Sequence, residues 1–303
     1  MADNRSHVLC FGEVLWDCLP TGLFLGGAPL NVAYHLTRLG NRATMVSAVG
    51  RDFLGDQTRE RMDRLGLSTE ALTVHDLLHT GVVTISLDEH GDATYAIREP
   101  VAWDRIPLSD AVRDAAPQAA GVVYGSLASR HDANRDTLLD LLKIAGGLKV
   151  YDVNLRAPYD DPERVLALSG PADVLKVNGD ELFQLANGDS PAKPSDANLE
   201  GAARTLANRV GVATVCITLG ADGAALLHQD RFHRVPGQPV RVVDTVGAGD
   251  AFSAALTHGL IETGGHPDDP EALLARAVQL GSFVAGKPGA QPDYDSDEVF
   301  GKR

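Results

Sequence analysis

Cysteine is scarce. Only Cys10, Cys18 and Cys216 occur in 303 residues, with no CxxC pair and too few for a disulfide framework, which fits a reducing cytoplasm. Positive charge is also in deficit: 27 Lys and Arg face 41 Asp and Glu, a net charge of −14. A nucleic-acid partner would need the reverse, a basic face for phosphate. No apolar run approaches the ~20 residues that span a bilayer. The opening Met-Ala-Asp-Asn-Arg-Ser-His leads into a short strand-like run without the apolar core of a signal peptide. The ten histidines form no HExxH or other metal pair, and no GxSxG elbow occurs, so metallohydrolase and serine-hydrolase chemistry has no carrier. No repeat, low-complexity tract or linker divides the chain. These absences predict one domain over residues 1–303, placed in the cytoplasm, with neither membrane nor nucleic acid as partner.

What is present is an ordinary globular composition, 44% hydrophobic and 22% charged, over a length that buries a sizeable core. Its patterning alternates. Val8–Val14 reads as a short buried strand, and Gly26-Gly27 open a helical segment from Ala28 to Leu39 that Gly40 ends. Strand Ala43–Val49 and helix Phe53–Leu65 repeat the unit. The rhythm returns at Gly121 with a strand over 121–124, helix Asn134–Ile144, and strands Lys149–Val153 and Asp173–Lys176. A helix after Asn178, another over Asn198–Arg209, the strand Val212–Leu219, a hairpin of Gly223–Leu227 with Phe232–Val235, and a long helix Glu271–Ala285 complete it. Strand then helix, repeated, predicts an α/β fold with a mostly parallel sheet covered on both faces. Between about 71 and 100 the pattern breaks: Gly81–Leu87, a turn over Asp88–Asp92, and Ala93–Ile97 read as an antiparallel hairpin, either an ordinary surface ribbon or a cover for something.

The chain is organised around residues 240–260. A β-branched run, Val240–Val243, stops at Asp244; two glycines follow within Thr245-Val246-Gly247-Ala248-Gly249-Asp250; then Phe252, Ala255, Leu256 and Leu260 recur at helical spacing. Small residues at 247–249 let a ligand approach the backbone. The free N–H groups of a first helical turn make an anion site. Asp250 sits in that turn. It either caps the helix or does proton chemistry beside a transferred phosphoryl group. Two other phosphate motifs fail: Phe252 stands where the dinucleotide fingerprint needs its third glycine, and Pro288 stands where the near P-loop Gly281–Lys287 needs Ser or Thr.

Asp-Thr-x-Gly-Ala-Gly-Asp followed by Ala-Phe resembles the C-terminal signature of the ribokinase/fructokinase (phosphofructokinase-B type) family of sugar kinases. The resemblance runs through residues 8–290 in family order. It implies a ribokinase-like three-layer α/β/α fold with a small β-sheet lid, formed here by about 17–25 and 71–100 and often used for homodimerisation. It also implies ATP and Mg²⁺ as cofactors, with K⁺ bound near this segment in many relatives. Asp250 matches the family's catalytic base, and Gly247, Ala248 and Gly249 match the amides that stabilise the transferring group.

Other constellations have a bland reading and one that the resemblance implies. Gly12-Glu13-Val14-Leu15-Trp16-Asp17 puts an acid just past a strand, and Gly26-Gly27-Ala28-Pro29-Leu30-Asn31 puts two glycines and an amide at a helix mouth. Asp17 could start a turn; together the groups suit a polyol, and the family's sugar contacts map onto Asp17, Gly26, Gly27 and Asn31. Asp152-Val-Asn154-Leu-Arg156 ends in an Arg that is either solvated or aimed at a sugar or phosphate oxygen. Bacterial fructokinases show a similar segment, and another like Gly125-Ser-Leu-Ala-x-Arg130, which points to D-fructose ahead of 2-keto-3-deoxygluconate or ribose. Asn178-Gly-Asp-Glu181 is a good capping box; in the family this Asn and Glu organise Mg²⁺ and phosphates, Glu181 through water. Thr218-Leu-Gly220-Ala-Asp-Gly223 suits a turn and resembles the nucleotide contact, to which Thr245 also belongs; Ala285–Ala290 resembles the loop lining the adenine. The expected activity is transfer of the γ-phosphoryl group of ATP to a primary hydroxyl of a free sugar. A catalytically silent sugar-binding regulator on the same fold is the rival.

Overall fold

The structure is a computed structural model that describes residues 5–87, 93–186 and 195–301. Its strands, in chain order, are β1 (His7–Phe11), β2 (Leu15–Leu19), β3 (Gly22–Gly26), β4 (Arg42–Gly50), β5 (Leu72–His75), β6 (Gly81–Leu87) and β7 (Ala93–Ile97). Then come β8 (Gly121–Gly125), β9 (Leu148–Asp152), β10 (Val174–Asn178), β11 (Thr214–Thr218), β12 (Ala224–His228) and β13 (Arg231–Val235). A nine-stranded sheet has the order β13-β12-β11-β10-β9-β8-β1-β4-β5, and a four-stranded sheet the order β3-β2-β6-β7. In the large sheet all strands from β5 to β11 run parallel, while β12 and β13 return antiparallel at one edge.

The inner parallel strands are mostly apolar on both faces because both faces are covered. Val8 and Cys10 join one core cluster with Leu30, Phe252, Leu256 and Leu274, whereas the alternate residues Leu9 and Phe11 join the other with Leu138, Leu182 and Leu206. One strand thus feeds two helical layers through its two-residue period. Helices Ala28–Arg38, Ala248–Glu262 and Pro270–Ala285 form the first layer. Helices Asp132–Ile144, Gly179–Ala186 and Asp196–Val210 form the second. This is the expected three-layer α/β/α arrangement.

Several local expectations need correction. The first strand ends at Phe11, and Leu15–Leu19 belongs to the small sheet, where β2 pairs with β3 and with β6. The cover therefore begins earlier than residue 17. It also begins later than residue 71 in its second part, because β5 pairs in parallel with β4 at the edge of the large sheet. The hairpin of β6 and β7 is present, and its turn at 88–92 lies outside the described residues. Val240–Val243 forms no strand. Three of its side chains, Val240, Val242 and Val243, are exposed, and the amides of Val243 and Asp244 both reach the Ala285 carbonyl instead. A β-branched run makes a strand only where an open sheet edge awaits it, and this segment runs past the end of a helix. The late hairpin turns at Gln229-Asp230, both at positive φ (48° and 65°), the geometry of a tight two-residue connection.

Candidate active site

Strand order reverses direction at β1, which lies between β4 and β8, and an open α/β sheet holds its ligands at such a point, beyond the carboxyl ends of the strands. A cavity of about 1810 Å³ opens there. It is larger than the ~300–1,000 Å³ of a usual single-ligand pocket, so two reactants fit side by side. Its walls are the segments that follow β1, β9, β10 and β11, together with the small sheet and the start of the Ala248 helix.

The helix start is built as the sequence reading requires. Gly247 takes a left-handed conformation (φ 79°), and a Cβ there would lie 2.5 Å from that of Ala290. Gly247, Ala248, Gly249 and Thr245 all line the cavity; the Ala248 amide also makes a long 3.3 Å contact to the Thr245 carbonyl. Asp250 lies in the first turn and keeps a partly open face to the cavity. Its Oδ2 accepts from Asn31 Nδ2 at 2.7 Å. Burial pushes its carboxyl up to about 6, an effect offset in part by the Asn31 bond, strengthened by Asp152 and opposed by Lys176 and Arg156. Asp250 is thus a carboxylate poised close to neutrality rather than a surface cap.

Asn31 is carried by the Ala28 helix, which Gly27 opens at φ 117°, a conformation in which a Cβ would sit 2.3 Å from the Glu13 carbonyl oxygen. Across from it, Asp17 on β2 comes so close to Gly26 that a methyl there would lie 2.8 Å from Asp17 Oδ2. Burial raises the Asp17 carboxyl, and the Arg156 guanidinium lowers it. Arg156 is exposed and lines the same end of the cavity. Asn178, Thr218, Gly220 and Gly223 also line the cavity, as do Val240, Val242 and Ala285.

Glu181, expected to organise the metal, does not line the cavity. It is buried; Oε2 accepts from the Asn178 amide at 2.8 Å and Oε1 from Leu155 at 2.8 Å, while Asn178 Oδ1 caps the Glu181 amide at 2.9 Å. The capping box is real, and any metal contact from Glu181 would pass through water. Lys287 of the near P-loop follows the end of the Pro270–Ala285 helix rather than preceding a helix, so the segment lacks the geometry of a P-loop.

A model of the pfkB family of carbohydrate kinases matches residues 5–297. The protein belongs to that family. Among curated proteins, the fructokinase of Klebsiella pneumoniae is 31% identical over 94% of this chain and 95% of its own length. A probable fructokinase of Arabidopsis thaliana is 29% identical over 97% and 91%. Among solved structures, Vibrio cholerae fructokinase in a form bound to fructose, ADP and calcium ion superposes with a TM-score of 0.80 at 25% identity, covering 98% of each chain. Aminoimidazole riboside kinase of Salmonella enterica, complexed with its riboside and an ATP analogue, gives 0.80 at 26%, covering 97% and 98%. The fold is equally like a hexose kinase and a riboside kinase, so specificity must be read from side chains.

In this pfkB-family kinase the side chains depart from the sequence reading at Arg130. It never reaches the cavity: it lies buried between the Trp103 and Tyr159 rings, with the guanidinium bonded to both oxygens of Asp104 at 2.7 and 2.8 Å. Its similarity to fructokinases therefore carries no information about the sugar. Of the cavity residues that escaped the reading, three bear on the chemistry. Lys176 is buried on β10 and bonds Asp152 at 2.9 and 3.2 Å, and Asp152 Oδ2 also accepts from Ser253 Oγ at 2.6 Å. A lysine inside an otherwise apolar parallel strand was the available signal. Glu13 is buried, with Oε1 accepting from the Ala28 amide at 3.2 Å, and burial pushes it up to about 7. Its place next to the end of β1 was legible. Gln291, in the turn after the last long helix, carried no signal at all.

Proposed function

We propose that this kinase transfers the γ-phosphoryl group of ATP to a primary hydroxyl of a free sugar, D-fructose first among acceptors. The observation that carries the reading is the 2.7 Å bond from Asn31 to Asp250, which joins the polyol end of the cavity to the glycine-rich helix start. Asp250 takes the hydroxyl proton as the oxygen attacks, and the backbone at Gly247, Ala248 and Gly249 offsets charge on the transferring group. Asp17, Gly26, Gly27, Asn31 and Arg156 hold the sugar; Asn178, Thr218, Gly220, Gly223 and Thr245 hold the nucleotide. Mg²⁺ entering with ATP would neutralise phosphate oxygens there. Among the described residues no cluster of three His, Cys, Asp or Glu side chains could hold a metal, which suits an ion held mainly by phosphate and water, with Glu181 behind the water.

Fructose is favoured by the Klebsiella and Vibrio relatives, and 2-keto-3-deoxygluconate and ribose are the runners-up. A homodimer through the small sheet is supported by its edge strand β3, which exposes Leu23 and Phe24. A cytoplasmic location is supported by the three free cysteines, and among the described residues no helix is long and apolar enough to cross a membrane.

A coupled ADP-release assay with Mg-ATP and K⁺ tests the reading against fructose, ribose, 2-keto-3-deoxygluconate, aminoimidazole riboside and glucose. Saturable turnover with fructose alone is the expected result. Turnover with another acceptor retires fructose and keeps the mechanism; sugar binding without turnover overturns the kinase reading in favour of a silent regulator. Gly27→Ala, which forces a Cβ into the Glu13 carbonyl, should raise the sugar KM by roughly tenfold or more. Initial rates at varied sugar check this, and an unchanged KM would remove Gly27 from the site.

A further inference from the structure

Asn31 does not hold Asp250 alone. Gln291 lines the same cavity, and its Nε2 donates to Asn31 Oδ1 at 2.7 Å and to the Leu25 carbonyl on β3 at 3.4 Å. The three side chains form a directed relay, Gln291 to Asn31 to Asp250. A primary amide donates at one end and accepts at the other. Ionised Asp250 only accepts, so Asn31 must turn its NH₂ toward it, and the Asn31 oxygen then needs a donor. Gln291 supplies that donor. The opposite orientation of Asn31 would set an amide oxygen against a carboxylate oxygen.

The backbone around Gln291 is clamped by the helix that carries Asn31. Tyr34 Oη donates to the Pro292 carbonyl at 2.6 Å, and a ring nitrogen of His35 meets the Ala290 carbonyl at 3.0 Å. Both flanking residues are therefore fixed from one side, and the Gln291 side chain can change without freeing the turn.

We propose that Gln291 is a positioning residue for phosphoryl transfer: by donating to Asn31 it fixes the amide orientation that donates to Asp250, and through Leu25 it ties that amide to the small sheet. This rests on Asp250 being the base. The charged groups that act on Asp250 are Asp152 on β9, Arg156 beyond it, Lys176 on β10 and Glu13 beyond β1. Gln291 is neutral, so its replacement by an apolar residue alters none of those charges.

The test is a pair of variants read by kcat, sugar KM, the pH profile of kcat/KM and thermal unfolding. Gln291→Leu keeps the bulk and removes the donor; kcat should fall roughly three- to tenfold with Tm nearly unchanged. The acid limb of kcat/KM should move to higher pH, because a loosened Asn31 favours the ionised base less. Gln291→Glu puts an acceptor beside Asn31, draws its NH₂ away from Asp250 and should cost more than Gln291→Leu. In an Asn31→Ala background, Gln291→Leu should have no further effect on the acid limb. Wild-type kcat and acid limb in both variants would overturn the proposal. So would a raised KM or lowered Tm with the acid limb in place, which would make Gln291 a sugar contact or a structural residue. Asp250→Asn separates the two levels: if it is inactive while the Gln291 variants are normal, only this inference fails, and if it turns over normally, the base assignment fails.

Discussion

Asp250→Asn should lower kcat by a factor of roughly 10² or more while the sugar KM stays within a few-fold. Asparagine has nearly the same shape and can still pair with Asn31 after an amide turn, so the cavity keeps its form. What it lacks is basicity. In the wild-type enzyme the carboxyl sits at about 6, raised first by burial. The sign follows from the proposed role: a base acts when deprotonated, so kcat/KM should be full above that value. It should fall about tenfold per pH unit below it. The measurement is a rate profile from pH 5 to 8 on both proteins. A variant with wild-type turnover, or a wild-type profile flat through pH 6, would remove Asp250 from the chemistry.

Lys176→Met should cost about 3–5 kcal/mol of folding stability, because it leaves Asp152 buried without its counter-charge. Both side chains are less than a tenth exposed, so solvent does little to screen the loss. Burial works against the Lys176 ammonium, yet Asp152, Glu181 and Asp250 outweigh it and hold its pKa above the ordinary value. A pair of this kind is weak evidence of net stabilisation, since removing both charges together is often neutral. The cycle is therefore diagnostic. Urea unfolding of Lys176→Met, Asp152→Asn and the double variant should show most of the single loss recovered in the double. Activity should not recover with it. The Nζ lies close enough to the helix start that a methyl on Gly249 would be 3.7 Å away, and its positive charge also favours ionised Asp250. Full activity in a stable double variant would make the pair purely structural.

Much of the architecture was legible because burial on both faces leaves a mark in the strand itself. Continuous apolar runs such as Val8–Phe11 and Val215–Ile217, each followed by a helical period, require a covered parallel sheet. The helix start at Gly247–Asp250 was legible for a similar reason: only small residues tolerate a left-handed turn that packs against Ala290, and their spacing is local. The capping box of Asn178 and Glu181 is local too, so it appeared where the sequence placed it.

What the chain could not reveal by itself depends on partners far away in sequence. Val240–Val243 has the composition of a strand, but pairing needs a free edge, and which edges are free is settled only by strand order. Arg130 has the look of a ligand contact and is instead held by Asp104, Trp103 and Tyr159. The relay of Gln291, Asn31 and Asp250 spans 260 and 219 residues of chain between successive members. Local chemistry determined which segments fold and which turn can receive a phosphate. Tertiary structure decided which charges are paired, which amide faces which carboxylate, and so which of the candidate groups meet in one cavity. Hydrogen bonds and ion pairs act over about 3 Å, and sequence separation carries no information on that scale.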